Sequence, residues 1–399
     1  MAAIEDFDGV VVAGAGPVGL FTALKLARNG IPVVVLEAES EISKSPRALG
    51  HRWPIAKALA SVGILEDAKK VGVMARVNQY RTLAGDINRM PMALLDTEQE
   101  QPYDLLLGQD VLAEIIVDHL RRLPSAAVRR RHRVTDVAQD ADTVTVSVDA
   151  QGEPRMLRAR WLIATDGARS TVRNALNLAF EGFTWPERFV ATNVYYDFKA
   201  HGFDSANFLS DPVNWAIIIQ INHQGLWRVA YGEDADISED EVRRRVGDHY
   251  AAIMPGTEKW ELANIGSYRV HERCAESFRR GRVLLAGDAA HICNPVGGLG
   301  LAGGIVDAVA LTNALLRVLN GDANDAIFDQ YSTERRRAFL DFTSPTVSEN
   351  KRRLSEQDPE RRKRNLAGLR HVCADPELTR KALRAPSGLV SDLAKELLS

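Results

Sequence analysis

The segment VVVAGAGPVGLFTALKLAR, residues 10–28, constrains this chain more than any other. Residues 10–13 read as a buried strand, and a glycine-rich turn follows. Residues 17–29 read as a helix, because Val18, Phe21, Leu24 and Ala27 recur at helical spacing. Asn29 and Gly30 give a C-terminal stop signal. Residues 31–36 form a second apolar strand that ends at Glu37, which completes a βαβ unit. In GAGPVG, Gly14 permits the tight turn and Gly16 lets the backbone approach a pyrophosphate. Gly19 lets helix and strand pack closely, and the helix start, with Pro17 and Val18, attracts phosphate charge. Glu37, followed by Ala38, sits where a carboxylate can accept ribose hydroxyls. The unit predicts a dinucleotide site without saying which dinucleotide. The bland alternative is a tight structural turn with an exposed glutamate.

The rest of the chain predicts a discontinuous layout. A helix is expected after Asp110, with Val111, Leu112, Ile115, Ile116 and Leu120 inward. Residues 133–160 alternate between apolar and polar, like a small antiparallel meander. Residues 161–164 read as a short apolar strand ending at Asp166–Gly167. Residues 180–270 switch to strand patterns, interrupted by an acidic-start helix at 238–253. Residues 282–286 return to a buried parallel-type strand, and a helix from about 301 to 319 follows. The last 50 residues or so are charged and helix-favouring, with breaks expected at Pro359, Pro376 and Pro386.

Two later segments narrow the cofactor. Residues 161–173 read WLIATDGARSTVR, and residues 282–307 read RVLLAGDAAHICNPVGGLGLAGGIVD. With GAGPVG, they resemble the class A flavoprotein aromatic monooxygenases, the group of the 4-hydroxybenzoate and 3-(3-hydroxyphenyl)propionate hydroxylases. The resemblance runs over roughly residues 8–345. It implies an α/β + β fold: a Rossmann-type, glutathione-reductase-like FAD-binding domain from residues 1–178 and 271–345. A mostly antiparallel substrate-binding sheet, 179–270, is inserted in it. Residues 76–107 are expected to add to the substrate pocket, and 346–399 to form C-terminal helices.

The resemblance also assigns residues. Asp288, after Gly287, would take the ribityl chain of FAD, and a carboxylate suits the polyol's donors. The loop from Pro295 through Gly298 and Gly300 to Leu301 would turn its amides and a helix N-terminus to the pyrimidine end of the flavin. Asp166 and Gly167 form the family's second fingerprint, with Arg173 completing it or serving as an ion-pair partner. Arg47 matches an arginine near flavin and pyridine nucleotide, and Gln109 a glutamine at the FAD phosphate or ribityl region. Ala302 departs from the family's usual asparagine, so a side-chain cap at the loop–helix junction is expected to be missing. His291 and Cys293 take the bland reading of packing residues. Catalytic residues are not fixed; Arg47, Pro295 and Tyr195 are weak candidates. Substrate contacts are expected from Tyr195, Trp215, Ile217, Ile219, Arg228 and Pro295. Tyr195 and Tyr196 point to opposite sheet faces, so at most one should meet a ligand.

The implied activity is hydroxylation of a phenol-like or heteroaromatic molecule with NADH or NADPH and O2, through a flavin C4a-hydroperoxide. The alternatives are an FAD-dependent dehydrogenase or reductase of the same fold, or a flavin-binding sensor without catalysis. No WxWxIP motif points to a halogenase. The net charge of -3 argues against general affinity for nucleic acid or anionic membrane. The three cysteines, Cys274, Cys293 and Cys373, show no metal-ligand spacing, and no metal is expected. The acidic start lacks signal-peptide character, and no uninterrupted apolar run approaches membrane length. A cytoplasmic monomer or homodimer, without the C-terminal thioredoxin-like domain of longer phenol hydroxylases, is the expectation.

Overall fold

The computed structural model describes residues 4–44, 48–95, 102–256 and 259–398. Arg47 lies outside the described residues.

Apolar segments far apart in sequence become neighbours in one sheet. Val283–Leu285, Trp161–Ala164, Val10–Ala13, Val33–Glu37 and Ala126–Arg130 lie side by side in parallel, with Arg279–Arg280 antiparallel at one edge. Every residue of Val10–Ala13 and Trp161–Ala164 is buried. Strands covered on both faces read as continuous apolar runs, which is why they were legible. Helix Pro17–Arg28 packs against Gln109–Leu120 and Leu299–Leu319. In Gln109–Leu120, Leu112, Ala113, Ile116, Val117 and Leu120 turn inward, while Val111 and Ile115 are half-buried.

The expected meander forms a separate four-stranded sheet. His132–Gln139, Val144–Ala150 and Glu153–Ala159 pair antiparallel, and Ile4–Asp6 joins in parallel. Val144, Val146 and Val148 alternate inward and join the main core.

The third major layer is an eight-stranded sheet. Its order is His291–Ile292, Glu261–Ala275, Phe180–Tyr195, Leu226–Asp234, Ala216–Gln220, Ala206–Ser210, Val77–Thr82 and Ile87–Pro91. Strand Val77–Thr82 lies parallel to Ala206–Ser210, so an early segment is drawn into the middle section's sheet. Period-two alternation gives this sheet two unlike faces. Val190, Val194, Ile218, Trp227, Val229 and Tyr231 pack under helix Glu239–Ile253 through its Val242, Val246, Tyr250 and Ile253. Ala191, Ile217, Ile219, Arg228 and Ala230 have the opposite parity and face a cavity.

Helix Leu299–Leu319 has the length and apolarity of a membrane span, which the sequence reading did not recognise. In the fold it is a core helix, with 78% of its most apolar stretch buried and a paired aspartate, Asp307, on its inner side. Two of the C-terminal prolines start helices rather than break them. Pro359 and Pro376 open Pro359–Ala374 and Pro376–Arg384, capped by Asp358 and Asp375. Pro386 falls in the short turn Ala385–Leu389.

Candidate active site

A cavity of about 1360 Å³ opens where the carboxyl ends of the parallel strands meet the large sheet. Ligands of open α/β sheets bind in this crevice. Its first wall is the glycine turn. Gly14 has φ +97°, and a Cβ there would lie 2.5 Å from the Thr165 carbonyl oxygen. A Cβ on Gly19 would lie 2.1 Å from the Gly14 carbonyl oxygen. The Thr165 hydroxyl donates to the Ala13 and Gly14 carbonyls at 2.8 and 3.1 Å and ties the turn down from beneath. A Cβ on Gly16 would meet nothing within 4 Å. Gly16, Pro17 and Val18 line the cavity, while Gly14 and Gly19 support them from behind. Glu37 lines it too and accepts from the Ala15 and Glu39 amides at 2.7 and 2.8 Å. Each carboxylate oxygen keeps capacity for a further donor. Ala38 is not among the lining residues.

The second wall is the turn Gly287–Ala289. Val283 to Ala290 are buried except for Asp288, which is exposed into the cavity. Gly287 is not in the wall; its amide donates to Asp307 at 2.9 Å and fixes the turn. Asp307 also accepts from His291 Nε2 and Arg335 Nε, both at 2.7 Å. His291 is therefore a buried structural partner, as its sequence reading held.

The third wall is the loop before helix Leu299–Leu319. The Asn294 side-chain Oδ1 accepts from the Val296 amide at 3.0 Å, and its Nδ2 donates to Glu272 at 2.7 Å. Glu272, 2% exposed, also accepts from Trp185 Nε1, Ser344 Oγ and Ser348 Oγ, each at 2.7 Å. Four neutral donors thus satisfy one buried carboxylate and anchor the loop. Pro295, Gly298, Gly300 and Leu301 line the cavity. Gly298 is the N-cap, left-handed at φ +67° and without a side-chain cap. Here the sequence expectation is corrected. Ala302 lies inside the first turn, fully buried, and is not a capping position. The amides at this helix start remain available to an anionic ring edge.

Asp166 needs a similar correction. Its carboxylate accepts from Ser170 Oγ at 2.6 Å and the Val172 amide at 3.1 Å, so it holds the start of helix Thr171–Ala175 rather than the cavity wall. Burial pushes its pKa up against those bonds. Gly167 does line the cavity. Arg173 donates to the Ala289 and Ala168 carbonyls, both at 2.9 Å, and stacks on Phe180, tying two walls together. Gln109 lines the cavity at the first turn of Gln109–Leu120.

The floor comes from the large sheet. Cross-strand register sets Ala206, Ile219 and Arg228 in one row, and Phe208, Ile217, Ala230 and Ala191 in the next. All seven line the cavity. The alanines leave room over the sheet, and Ile217, Ile219 and Phe208 supply apolar surface. Arg228 donates from Nε to Asn193 Oδ1 at 3.0 Å, and burial pushes it down to about 10. Across the floor, Arg52 pairs with Asp104 at 2.8 Å. Burial pushes the Asp104 carboxyl up, while Arg52 pulls it down less strongly. Cys293 lines the cavity, and burial raises its thiol further from ionisation.

Two predicted substrate contacts fall elsewhere. Tyr195 has the cavity parity but stands four residues, about 13 Å, beyond Ala191; it is 42% exposed and pairs with Leu226 and Glu261. Tyr196 packs under helix Glu239–Ile253, so neither tyrosine meets the cavity. Trp215 lies at the floor's other end, 3% exposed against Phe189 and Lys351. The sequence reading missed Arg52, Asn78 and Asp104, and also Phe208, Ala191, Ala206 and Ala230. Strand alternation from Arg228 could have found Ala230. Nothing local announces the first three.

Residues 8–343 match the protein family described as "FAD binding domain". The chain is 49% identical over 384 residues to a para-nitrophenol 4-monooxygenase of Pseudomonas sp. (strain WBC-3), covering 95% of each. It is 39% identical over 380 residues to the 6-hydroxy-3-succinoylpyridine 3-monooxygenase HspB of Pseudomonas putida (strain DSM 28022 / S16), covering 94% of this chain and 97% of that protein. The crystal structure of p-nitrophenol 4-monooxygenase PnpA from Pseudomonas putida DLL-E4 superposes with a TM-score of 0.94 at 47% identity, covering 97% of this chain and 99% of that one.

Proposed function

We infer the function from one premise: this chain belongs to the class A flavoprotein aromatic monooxygenases, the family whose FAD binding domain spans residues 8–343. It is an FAD-dependent aromatic hydroxylase that uses NAD(P)H and O2 and acts on a small aromatic molecule. The dehydrogenase and sensor alternatives fall with that assignment. We read the six-stranded sheet with its helices, residues 1–178 and 271–345, as a glutathione-reductase-like Rossmann domain. Residues 179–270 then form the substrate domain, joined by strands from 76–107, and 346–399 the C-terminal helices.

The cavity walls fit FAD by their chemistry. The turn Gly14–Gly19 offers amides and an open face at Gly16 for the pyrophosphate. Glu37 suits a ribose and Asp288 the ribityl hydroxyls, and Gln109 lines the same cavity. The loop Pro295–Leu301 and its helix start suit an electron-rich ring edge. When bound, FAD takes electrons from NAD(P)H and activates O2 for insertion of one oxygen atom. The protein positions the ring and keeps water away through Phe208, Ile217 and Ile219.

Our reading of the substrate is a phenol with a polar substituent across the ring, of the kind named for the 49% identical relative. The observation that carries it is a flat apolar floor, cleared by three alanines and ending in Arg228. Ile217, Ile219, Arg228 and Pro295 are the contacts we assign. A hydroxypyridine is the second reading, favoured by the 39% identical relative. The test uses FAD-loaded protein with 4-nitrophenol, other phenols and 6-hydroxy-3-succinoylpyridine. A true substrate accelerates anaerobic flavin reduction and gains oxygen-18 from labelled O2. A panel in which only the hydroxypyridine does so would overturn the phenol reading.

The floor also predicts a contrast. Ala230→Phe places a ring where the substrate would lie and is expected to raise Kd about 10- to 100-fold, the about 1–3 kcal/mol of an overpacked site. Tyr195→Ala is expected to change Kd less than twofold. Ligand titration of both variants checks this, and a large loss in Tyr195→Ala would contradict the geometry.

A further inference from the structure

We propose that Arg52, set in place by Asp104, is a substrate-binding residue that donates to an anionic oxygen at one end of the aromatic ring, opposite Arg228. This rests on the phenol reading above and adds a second pole to it. The site would then select rings carrying polar oxygens at both ends.

Arg52 and Asp104 line the cavity as an ion pair of 2.8 Å, with side chains 18% and 3% exposed. Burying such a pair seldom adds stability over apolar residues of similar size. Its place in a largely apolar cavity wall therefore points to use. Asp104 is held from more than one side: its other oxygen accepts from the Trp53 amide at 2.9 Å, and the Asn78 side chain bonds to it as well. Arg52 is less occupied. A guanidinium carries five N–H donors in a planar fork. One nitrogen meets Asp104, and the buried Nε has no hydrogen-bond partner among the described residues. Tyr80 is a further titratable group near Arg52, and burial raises its hydroxyl and so favours the neutral form. Asp110 and Tyr268 are the corresponding neighbours of Arg228.

The spacing of the two poles fits a single ring. Asn78 lies opposite Ala206, Ala206 opposite Ile219, and Ile219 opposite Arg228. That is three strand spacings, about 14 Å between backbones. Asn78 bonds to Asp104 and so ties the Arg52 pair to the strand three spacings from Arg228, with Ala206 and Ile219 on the cavity floor between them. The Arg52 stem also runs beside the flavin-side loop, its Cδ 3.8 Å from where a Cβ on Gly298 would stand. The pole thus adjoins both the floor and the cofactor wall. Binding the ionised form leaves the proton in solvent, so no base is required in the wall.

The test follows 4-nitrophenol by difference absorption in FAD-loaded enzyme without NAD(P)H, where no turnover occurs. Bound to wild type, the probe's pKa is expected to fall by about one unit or more, as beside a close cation. In R52Q most of that shift should vanish and the ionised probe should bind about tenfold more weakly, while nitrobenzene affinity stays within threefold. R52K, which keeps the charge, should retain part of the shift. Wild-type enzyme that binds 4-nitrophenol without lowering its pKa overturns the proposal without any variant. A shift kept in R52Q and lost in R228Q overturns it in favour of the other pole. Loss of FAD from R52Q with probe ionisation unchanged overturns it in favour of a cofactor contact. Failure of wild type to bind any phenol instead defeats the substrate reading on which it rests.

Discussion

Gly16→Val is expected to give a folded protein that binds FAD about 10- to 100-fold more weakly than wild type. The three glycines of the turn differ in what a side chain would meet. A Cβ on Gly14 or Gly19 would run into backbone, at 2.5 Å from the Thr165 oxygen and 2.1 Å from the Gly14 oxygen. Substitution there forces the strand–turn–helix apart, so Gly19→Ala should damage folding itself. Gly16 has extended backbone, φ -70° and ψ 171°, which valine adopts readily. A Cβ there meets no protein atom within 4 Å and projects toward the cavity. The N-cap preference lost is small, about 1 kcal/mol or less. The penalty therefore falls on whatever approaches the turn, with an overpacking cost of about 1–3 kcal/mol. Flavin fluorescence titration of the apoprotein, beside thermal unfolding, separates the two effects. FAD affinity equal to wild type in a folded Gly16→Val protein would show that the pyrophosphate does not lie on this turn.

The same contrast explains what was legible in the sequence. The glycine turn, Glu37 and Asp288 each follow a continuous apolar run, a pattern visible locally, and the family resemblance supplied their roles. Face is legible too, because Ile217, Ile219 and Arg228, expected as substrate contacts, do share one side of the sheet. Depth along a strand is not. Tyr195 and Trp215 have the right parity but lie beyond opposite ends of the floor. Ala302 was misplaced because the left-handed turn at Gly298 starts the helix earlier than the apolar pattern suggests. Asp166 matched its motif, yet its oxygens are engaged by Ser170 and Val172. The Arg52–Asp104–Asn78 group had no local signal at all. It exists because strand Val77–Thr82 crosses to pair with Ala206–Ser210, a contact between segments more than a hundred residues apart.

Asp307→Ala is expected to destabilise the fold by about 3–5 kcal/mol, the cost of breaking a buried ion pair from one side. Asp307 is fully buried and gathers three donors: the Gly287 amide, His291 Nε2 and Arg335 Nε. Arg335 is 2% exposed, with its remaining bonds going to the Leu389 and Gly303 carbonyls. Alanine would leave its charge buried without a counter-ion and orphan the Gly287 amide. Typical domains hold only about 5–15 kcal/mol in total, so this loss is large. The effect also has a pH signature. Burial alone would raise the Asp307 carboxyl, but the His291 and Arg335 charges outweigh it and hold it at about 2, below the usual 3.8. A carboxyl lowered by folding contributes its full stability above the unfolded value and loses it as pH falls toward the folded one. The stability gap between wild type and Asp307→Asn should thus be constant near neutrality and shrink between about pH 4 and 2. Denaturant unfolding across that range measures it, and a gap that does not shrink would rule out the charged carboxylate as its source. The consequence reaches the cavity, because Asp307 fixes the Gly287 amide and so the turn that presents Asp288. Asp307→Asn protein that remains folded should therefore also retain less FAD, and full retention would uncouple the buried cluster from the site above it.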